Sequence, residues 1–402
     1  MPISCSPGWR RAALAIGLAA SLLAGGCTSA PTAEPAPATA PTRPSPSPSA
    51  TPAGTAPKPE TITIVGSGDI LLHPPLWEQA RRDARAAGGN GFDFDPLLAE
   101  VKDIVSGADL AICHLETPLA APGGPFVGYP RFSVPPQIAT ALADNGYDTC
   151  STASNHTIDQ GEAGVRRTLD ALDAAGIRHA GSYRSKADHD RVNLIEVHGV
   201  KIASLAYTFG FNGLLRPAGK AWIANQIDPA TILDEAKRAR AAGAEIVVVS
   251  LHFGTEYRHS PNDQQRTVAR TLLASPDIDL ILGHHAHVVQ PFERIGDKWV
   301  AYGMGNKVAH HGEPRNDNRE GVLSRFTFTE MSPGRWRVTT AEAIPVWMDL
   351  RPDRLVNIAA ELADPTTPSG ERATLRATWN RIKGYLISRG AGQDGLRISG
   401  SN

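Results

Sequence analysis

Seven residues, Glu245–Leu251 (EIVVVSL), form an almost uniformly apolar, β-branched run with a helical pattern on each side, Pro229–Ala242 before it and Asn262–Ala274 after it. A run so short and so apolar reads as a strand buried on both faces. Strands of that kind belong to sheets whose faces are covered by helices. The same alternation occupies the preceding region. Thr61–Ser67 (TITIVGS), Asp109–His114, Asp148–Ser151 and a run from Ile177 are strand-like. Leu76–Ala87, Pro96–Ser106, Pro136–Asn145 and Gly161–Ala175 read as the helices around them, with stop signals at Asn145-Gly146 and Gly176. His198-Gly199 looks like the turn of a hairpin joining Val192–Val197 to Lys201–Tyr207. This pattern predicts a layered α/β domain. After Asp279–Leu282 the helices stop, and strands follow at Val288–Ile295, Trp299–Tyr302, Val322–Phe328 and Arg335–Ile344. That run predicts a second sheet packed on the first. Glu371–Ile387 closes the chain with an amphipathic helix.

Composition excludes some functions. Forty basic residues face 41 acidic ones, a net charge of -1, so bulk charge does not hold this chain on nucleic acid. The apolar run Ala12–Ala24 follows Arg10-Arg11 and is short for a bilayer span, which excludes a polytopic membrane protein. It leads into Leu22-Leu23-Ala24-Gly25-Gly26-Cys27, which resembles a bacterial lipoprotein signal. That resemblance implies cleavage after residue 26 and a lipid on Cys27; an ordinary secretory signal is the alternative. Ala24 departs from the larger aliphatic residue that is commoner three positions before the Cys. Residues 27–60 are Pro-, Ala-, Thr- and Ser-rich, too poor in large apolar groups to fold, and read as a disordered, extended tether. Beyond it lie Cys113 and Cys150, either small buried thiols or, in an exported domain, a pair.

Five polar clusters each follow a predicted strand. They are Gly68-Asp69 with His73, His114-Leu115-Glu116, Ser154-Asn155-His156 with Asp159, His252 with Glu256, and Gly283-His284-His285-Ala286-His287. In α/β sheets, ligands bind beyond the strand carboxyl ends. Carboxylates, an amide and imidazoles gathered there make a donor set for divalent metal. Taken singly, an Asp after Gly is a turn or cap, His252 a core residue, Asn155 a turn residue, and Glu256 a solvent-facing or orienting group. On an extended loop, His285 and His287 would point to one side. His156 is placed to protonate a leaving oxygen or stabilise charge. His310-His311 reads as a surface loop first and a site rim second.

In order, Gly68-Asp69-Ile70-Leu71-Leu72, His114–Leu119 (HLETPL), Ser154–Gly161 (SNHTIDQG), Leu251–Tyr257 (LHFGTEY), Gly283–Gln290 (GHHAHVVQ) and Tyr302–Asn306 (YGMGN) resemble the poly-γ-glutamate capsule biosynthesis family of CapA type, from about Thr61 to Trp347. That family is similar in fold to calcineurin-like metallophosphatases. The resemblance implies a four-layer α/β/β/α sandwich over 61–347, with 348–402 as a C-terminal helical extension and flexible tail. It also implies two divalent ions (Mn, Fe or Zn) held by Asp69, Glu116, Asn155, His252, His285 and His287. His156 would be the catalytic group, and His73, Asp159, Glu256, His284 and Asn306 would lie around the ligands; His284 could replace His285. Phosphatases place a His where Leu71 stands, and family members often show Asn at 114 and 154, here His and Ser. The expected protein is extracytoplasmic, anchored to the cell membrane by lipid, and acts on an anionic envelope polymer. A membrane synthase complex is an expected partner and nucleic acid is not. The alternatives are a metallophosphoesterase acting on a phosphorylated envelope or nucleotide substrate, and a non-catalytic polymer-binding or scaffolding lipoprotein.

Overall fold

The computed structural model describes residues 60–312 and 316–400; the signal, Cys27 and nearly all of the tether lie outside them. The strands are β1 (Thr61–Ile70), β2 (Leu110–Leu115), β3 (Thr149–Ser151), β4 (Arg178–Ala180), β5 (Leu194–Val197), β6 (Val200–Thr208), β7 (Ile246–His252), β8 (Leu280–His284), β9 (Phe292–Ile295), β10 (Lys298–Ala301), β11 (Asn306–Val308), β12 (Glu320–Ser332), β13 (Arg335–Leu350), β14 (Asp353–Asn357) and β15 (Arg397–Ile398). Among the described residues they form two sheets. One runs β14-β13-β12-β1-β2-β3-β4, with β11 beside β1 and β15 beside β13; the other runs β5-β6-β7-β8-β10-β9.

Side-chain alternation along the strands builds the layers. Ile62 and Ile64 on β1, Leu110 and Ile112 on β2, Ile246 and Val248 on β7, and Leu280 and Leu282 on β8 share one cluster between the sheets. Their neighbours turn outward. Ala111, Cys113 and Cys150 meet Leu76, Ile138, Leu142 and Leu169 of the helices over the first sheet. Val247, Val249 and Leu251 meet Ile232, Ala236, Val268 and Leu272 of the helices over the second. The result is the expected helix–sheet–sheet–helix order. Each buried Leu or Ile contributes roughly 1.5–3 kcal/mol relative to exposure, so burial fixes the register.

Some helices start where a side chain caps them. Asn262 accepts from the Gln265 amide and Gln265 reaches back, closing a capping box at the start of Asp263–Leu273. His198 and Gly199 both take positive φ in the hairpin between β5 and β6, as expected for a two-residue turn.

Three expectations need correction. The late strands do not make the second sheet: β12 pairs antiparallel with β1 and carries β13 and β14 into the first sheet, while only β9 and β10 join the second. Pairing across some 250 residues leaves no local signal. The helix expected at Pro96–Ser106 is broken into Asp95–Leu98, a 3₁₀ turn at Ala99–Val101 and Lys102–Ser106. Residue 347, placed above at the end of the metallophosphatase-like domain, lies inside β13. Beyond it, β14 and β15 extend the same sheet, and helix Ser369–Leu386 sends Leu375, Trp379, Ile382 and Leu386 into the inter-sheet core.

Candidate metal centre

The positions that build the inter-sheet core also build the site. Leu110 and Ile112 are followed two residues on by His114, Ile246 and Val248 by Ser250 and His252, and Leu280 and Leu282 by His284. All three imidazoles are buried at the carboxyl ends of parallel strands. Asp69 reaches the same edge because β1 passes against the backbone of residue 305. A Cβ on Gly68 would lie 2.2 Å from the Gly305 carbonyl oxygen, so only glycine allows that approach.

Asp69 is the hub. Its Oδ2 accepts from the His285 amide at 3.1 Å and lies 3.3 Å from His287 Nδ1, and its Oδ1 lies 3.3 Å from His284 Nδ1 without closing a hydrogen bond. Glu116 Oε1 lies 3.7 Å from His287 Nε2. Asn155 Oδ1 is 3.0 Å from His252 Nε2, and the His252 and His285 rings are 4.7 Å apart. The structure therefore gathers Asp69, Glu116, Asn155, His252, His284, His285 and His287 in one place. Asn306 is with them, its Oδ1 3.0 Å from His287 Nδ1. Glu256 stands on the exposed rim, its carboxylate within 4.8 Å of His285 and His287 ligand atoms. His73 is set apart. Its Nδ1 accepts from the His310 amide and its ring packs on Phe132 and His311.

One local expectation fails. His285 and His287 do not sit on an extended loop; both have positive φ, 86° and 56°. Their rings are 6.0 Å apart because the backbone coils around Asp69, a conformation costing about 1–3 kcal/mol per residue. Of His310 and His311, only the second lines the site. His310 Nδ1 pairs with Asp353 at 2.8 Å, and His311 lines the cleft.

The Ser154–Asp159 turn explains how His156 is aimed. Ser154 Oγ donates to the Glu116 carbonyl at 2.6 Å and accepts from the His156 amide at 3.0 Å, so the Ser at this departure position ties the turn to β2. His156 Nδ1 lies 2.7 Å from Asp159 Oδ2, leaving Nε2 as the free ring nitrogen in the cleft that His156 lines. The cleft, about 660 Å³, is walled by Tyr129, Phe132, Asn212 and Tyr257, and Arg131 is its one Lys or Arg among the described residues. Arg131 and Asn212 are residues that sequence reasoning missed, and His114, noted as a member of a polar cluster, was given no role in the site. The first two lie on loops without periodicity. The alternation Leu110, Ile112, His114 was the available signal for the third.

Electrostatics divide the cluster. Burial pushes the Asp69 carboxyl up, but His284 and His287 overcome it and hold the group well below the usual carboxylate range. Burial, together with the Asp69 charge, raises Glu116 to about 7 against the pull of His287. His287 is lowered by burial but lifted to about 10 by Glu116 and Asp69. His285 is held at about 3, and His114 and His252 well below the usual imidazole range, by burial first and neighbouring imidazoles second.

Several buried donor atoms have no partner: Asp69 Oδ1, both Glu116 oxygens, both His284 nitrogens and His285 Nδ1. Leaving charged oxygens dry and unpaired costs several kcal/mol each. A divalent cation would take up these lone pairs. Three groups hold ligand atoms within 4.8 Å of one another: Asp69 with His114 and His284, Asp69 with Glu116 and His287, and Glu256 with His285 and His287. The residues present fit such an ion.

Fold and site together define a four-layer α/β protein with a buried imidazole–carboxylate cluster able to hold divalent metal. Residues 63–311 match the family described as bacterial capsule synthesis protein PGA_cap, and the chain belongs to that family. It is 31% identical over 209 residues to "PGA biosynthesis protein CapA" of Bacillus subtilis (49% of this chain, 51% of that one). It is 27% identical over 188 residues to "Capsule biosynthesis protein CapA" of Bacillus anthracis (46% of each). The chain thus spans about half the length of these curated relatives. A "Probable polyglutamine synthesis accessory protein" of Mycobacterium tuberculosis is 23% identical over 376 residues, 83% of this chain and 95% of that one. A solved calcineurin-like phosphoesterase from Bacillus subtilis overlays at TM-score 0.40 with 14% identity, covering 81% of this chain and 97% of that one, too loosely to carry an argument.

Proposed function

We propose that the chain is a CapA-like protein of the cell envelope that uses divalent metal to act on an anionic envelope polymer. The observation that carries the reading is the set of unpartnered, buried Asp69, Glu116, His284 and His285 atoms beside a cleft lined by Asn155, His156 and His287. Asp69, Glu116 and His287 would hold one ion, and Asn155, His252 and His285 a second. Such ions supply Lewis-acid polarisation of a carbonyl or phosphoryl oxygen. The chain's own residues do the rest. Asp159 holds His156 by Nδ1, so that Nε2 delivers a proton to a leaving group or faces developing charge. Arg131 meets an anionic group of the polymer at the mouth, and Phe132, packed edge-on against His156, keeps bulk water from that ring.

Export and anchoring through Cys27 are part of the same reading. The lipoprotein-like signal and Pro-rich tether support it, and so does the disulfide between Cys113 and Cys150, a bond typical of oxidising compartments. Among the described residues no helix is long and apolar enough to cross a membrane. Polymer chemistry and a synthase partner are favoured by the capsule and PGA biosynthesis named for the relatives.

Elemental analysis of the purified full-length chain and its Asp69→Ala variant tests the metal. Shortening of poly-γ-glutamate, run beside hydrolysis of a phosphodiester, tests the substrate. Stoichiometric metal that the variant loses, with polymer cleavage lost alongside it, is the expected result. Phosphodiester turnover alone would transfer the protein to the phosphoesterase reading. Wild-type chain without bound metal would leave only a scaffold.

A further inference from the structure

Behind the cleft, on the inter-sheet face, four side chains stand in file. Ser151 Oγ lies 2.7 Å from His114 Nδ1, His114 Nε2 lies 2.9 Å from His252 Nδ1, and His252 Nε2 lies 3.0 Å from Asn155 Oδ1. Asn155 Nδ2 donates onward to Asn212 Oδ1 at 3.2 Å. All but Asn212 are buried, and no carboxylate closes a hydrogen bond to either ring.

A neutral imidazole carries one N–H, so the file has a direction. Asn155 offers a carbonyl oxygen, which calls for hydrogen on His252 Nε2. His252 Nδ1 then accepts from His114 Nε2–H, and His114 Nδ1 accepts from the Ser151 hydroxyl. The reverse order is also open, because Ser151 Oγ has a second acceptor in the Cys113 carbonyl at 3.4 Å. With the hydroxyl turned there, Ser151 accepts from His114 Nδ1–H, and His114 Nε2 accepts from His252 Nδ1–H. Each ring exchanges one N–H bond for another, and the number of protons is the same in both orders. Only the second order frees the His252 Nε2 lone pair.

The geometry points to Ser151 and His114 as positioning residues that reverse this file when His252 Nε2 and Asn155 Oδ1 become ligands. The inference rests on the divalent-metal reading above. It gives a use to His114 and to a buried serine that touches none of the ligands proposed above. The pair is also braced. Cys113 and Cys150 are register partners one residue before the partners His114 and Ser151, and their disulfide ties β2 to β3 from the helix side.

Zinc titration of the full-length chain tests it, with ring-nitrogen NMR of protein labelled at histidine. In the wild type, zinc should move the His252 and His114 hydrogens from Nε2 to Nδ1. Ser151→Ala leaves His114 Nδ1–H without an acceptor and should weaken zinc at that position by about 10–100-fold, the usual effect of losing an outer partner of a ligating imidazole. Ser151→Thr, which keeps the hydroxyl, should restore it. Should Ser151→Ala misfold, His114→Gln decides the matter: its carbonyl accepts from His252 Nδ1 without help from Ser151 and should keep wild-type affinity, whereas His114→Leu should not. Unchanged zinc affinity in Ser151→Ala, or His114 nitrogens that ignore zinc, overturns the inference and leaves the metal reading standing. A wild type that takes up no zinc overturns both.

Discussion

Asp69, Glu116 and His287 meet with most of their carboxylate oxygens unpaired, whereas Asn155, His252 and His114, a few ångströms away, are hydrogen-bonded end to end. The first group is charged: Asp69 is held ionised and His287 protonated, with Glu116 poised near 7. The second is neutral, its imidazoles kept uncharged by burial. One side of the site therefore carries protons and charge that an ion must displace or neutralise. The other asks only for a rearrangement of hydrogens. Two ways of making a buried polar cluster tolerable stand side by side: mutual charge, and complete hydrogen bonding.

The sharpest way to break this contrast is to remove one member from each side. Asp69→Asn strands the protonated His287 with Glu116 alone. It should destabilise the metal-free protein by about 3–5 kcal/mol in denaturant melts. His252→Gln removes a neutral group whose bonds an amide partly replaces and should cost about 1 kcal/mol. Equal losses would erase the distinction.

The second effect is a pH dependence of the metal-free protein. His287 is raised above its unfolded value, so its contribution is complete below about 6.5 and is lost as pH climbs towards about 10. Glu116 is also raised, so the fold favours its protonated form and loses stability from about 4.5 up through about 7. Both act in one direction, but below about 6.5 they are opposed by His285, His114 and His252, whose lowered imidazoles add stability as pH rises to that point. Melting temperature should therefore fall from about pH 7 to 9, and Glu116→Gln, which removes an anion that holds the His287 proton, should flatten the slope. Cation binding expels the same protons, so metal affinity should rise over that interval, by roughly tenfold per unit for each proton released. Calorimetry in buffers of different ionisation enthalpy would count them.

A third effect isolates His156 from either side. Asp159→Asn keeps the turn but loses the anion that orients the ring. Turnover should drop about 10–100-fold with metal content unchanged. Loss of metal would place Asp159 in the ion-binding group instead.

The smallest effect lies at a third buried charge. Lys307 is buried, with the Tyr147 hydroxyl against its amine, and burial holds it well below the ordinary lysine range. The unfolded chain keeps that proton up to about 10.4, so at pH 7 the lysine costs stability that returns only as pH rises. Lys307→Met should raise stability by about 1 kcal/mol at pH 7, and an unchanged melt would refute this.

The ligand types were legible because strand alternation and the HLET, SNHT and GHHAH sequences announce them. Their geometry was not. No pattern signals left-handed backbone at His285 and His287, which is stabilised only by the contacts around Asp69. The role of His114 was not legible because its partners, Ser151 and His252, lie 37 and 138 residues away. A helix-covered sheet was legible from β7 and its flanking helices, but the membership of each sheet was not. The burial that draws β12 against β1 is felt only once the chain has closed.

Because His114, His252 and His284 continue the same every-second-residue rows as Ile112, Val248 and Leu282, greasy interior and ligand cage are one lattice read at two depths. A single inserted residue in β2, β7 or β8 would swing its imidazole outward together with the aliphatic side chains beneath it. Mutational drift in these strands is thus confined to exchanges in place, since any slip would forfeit architecture and chemistry at a stroke.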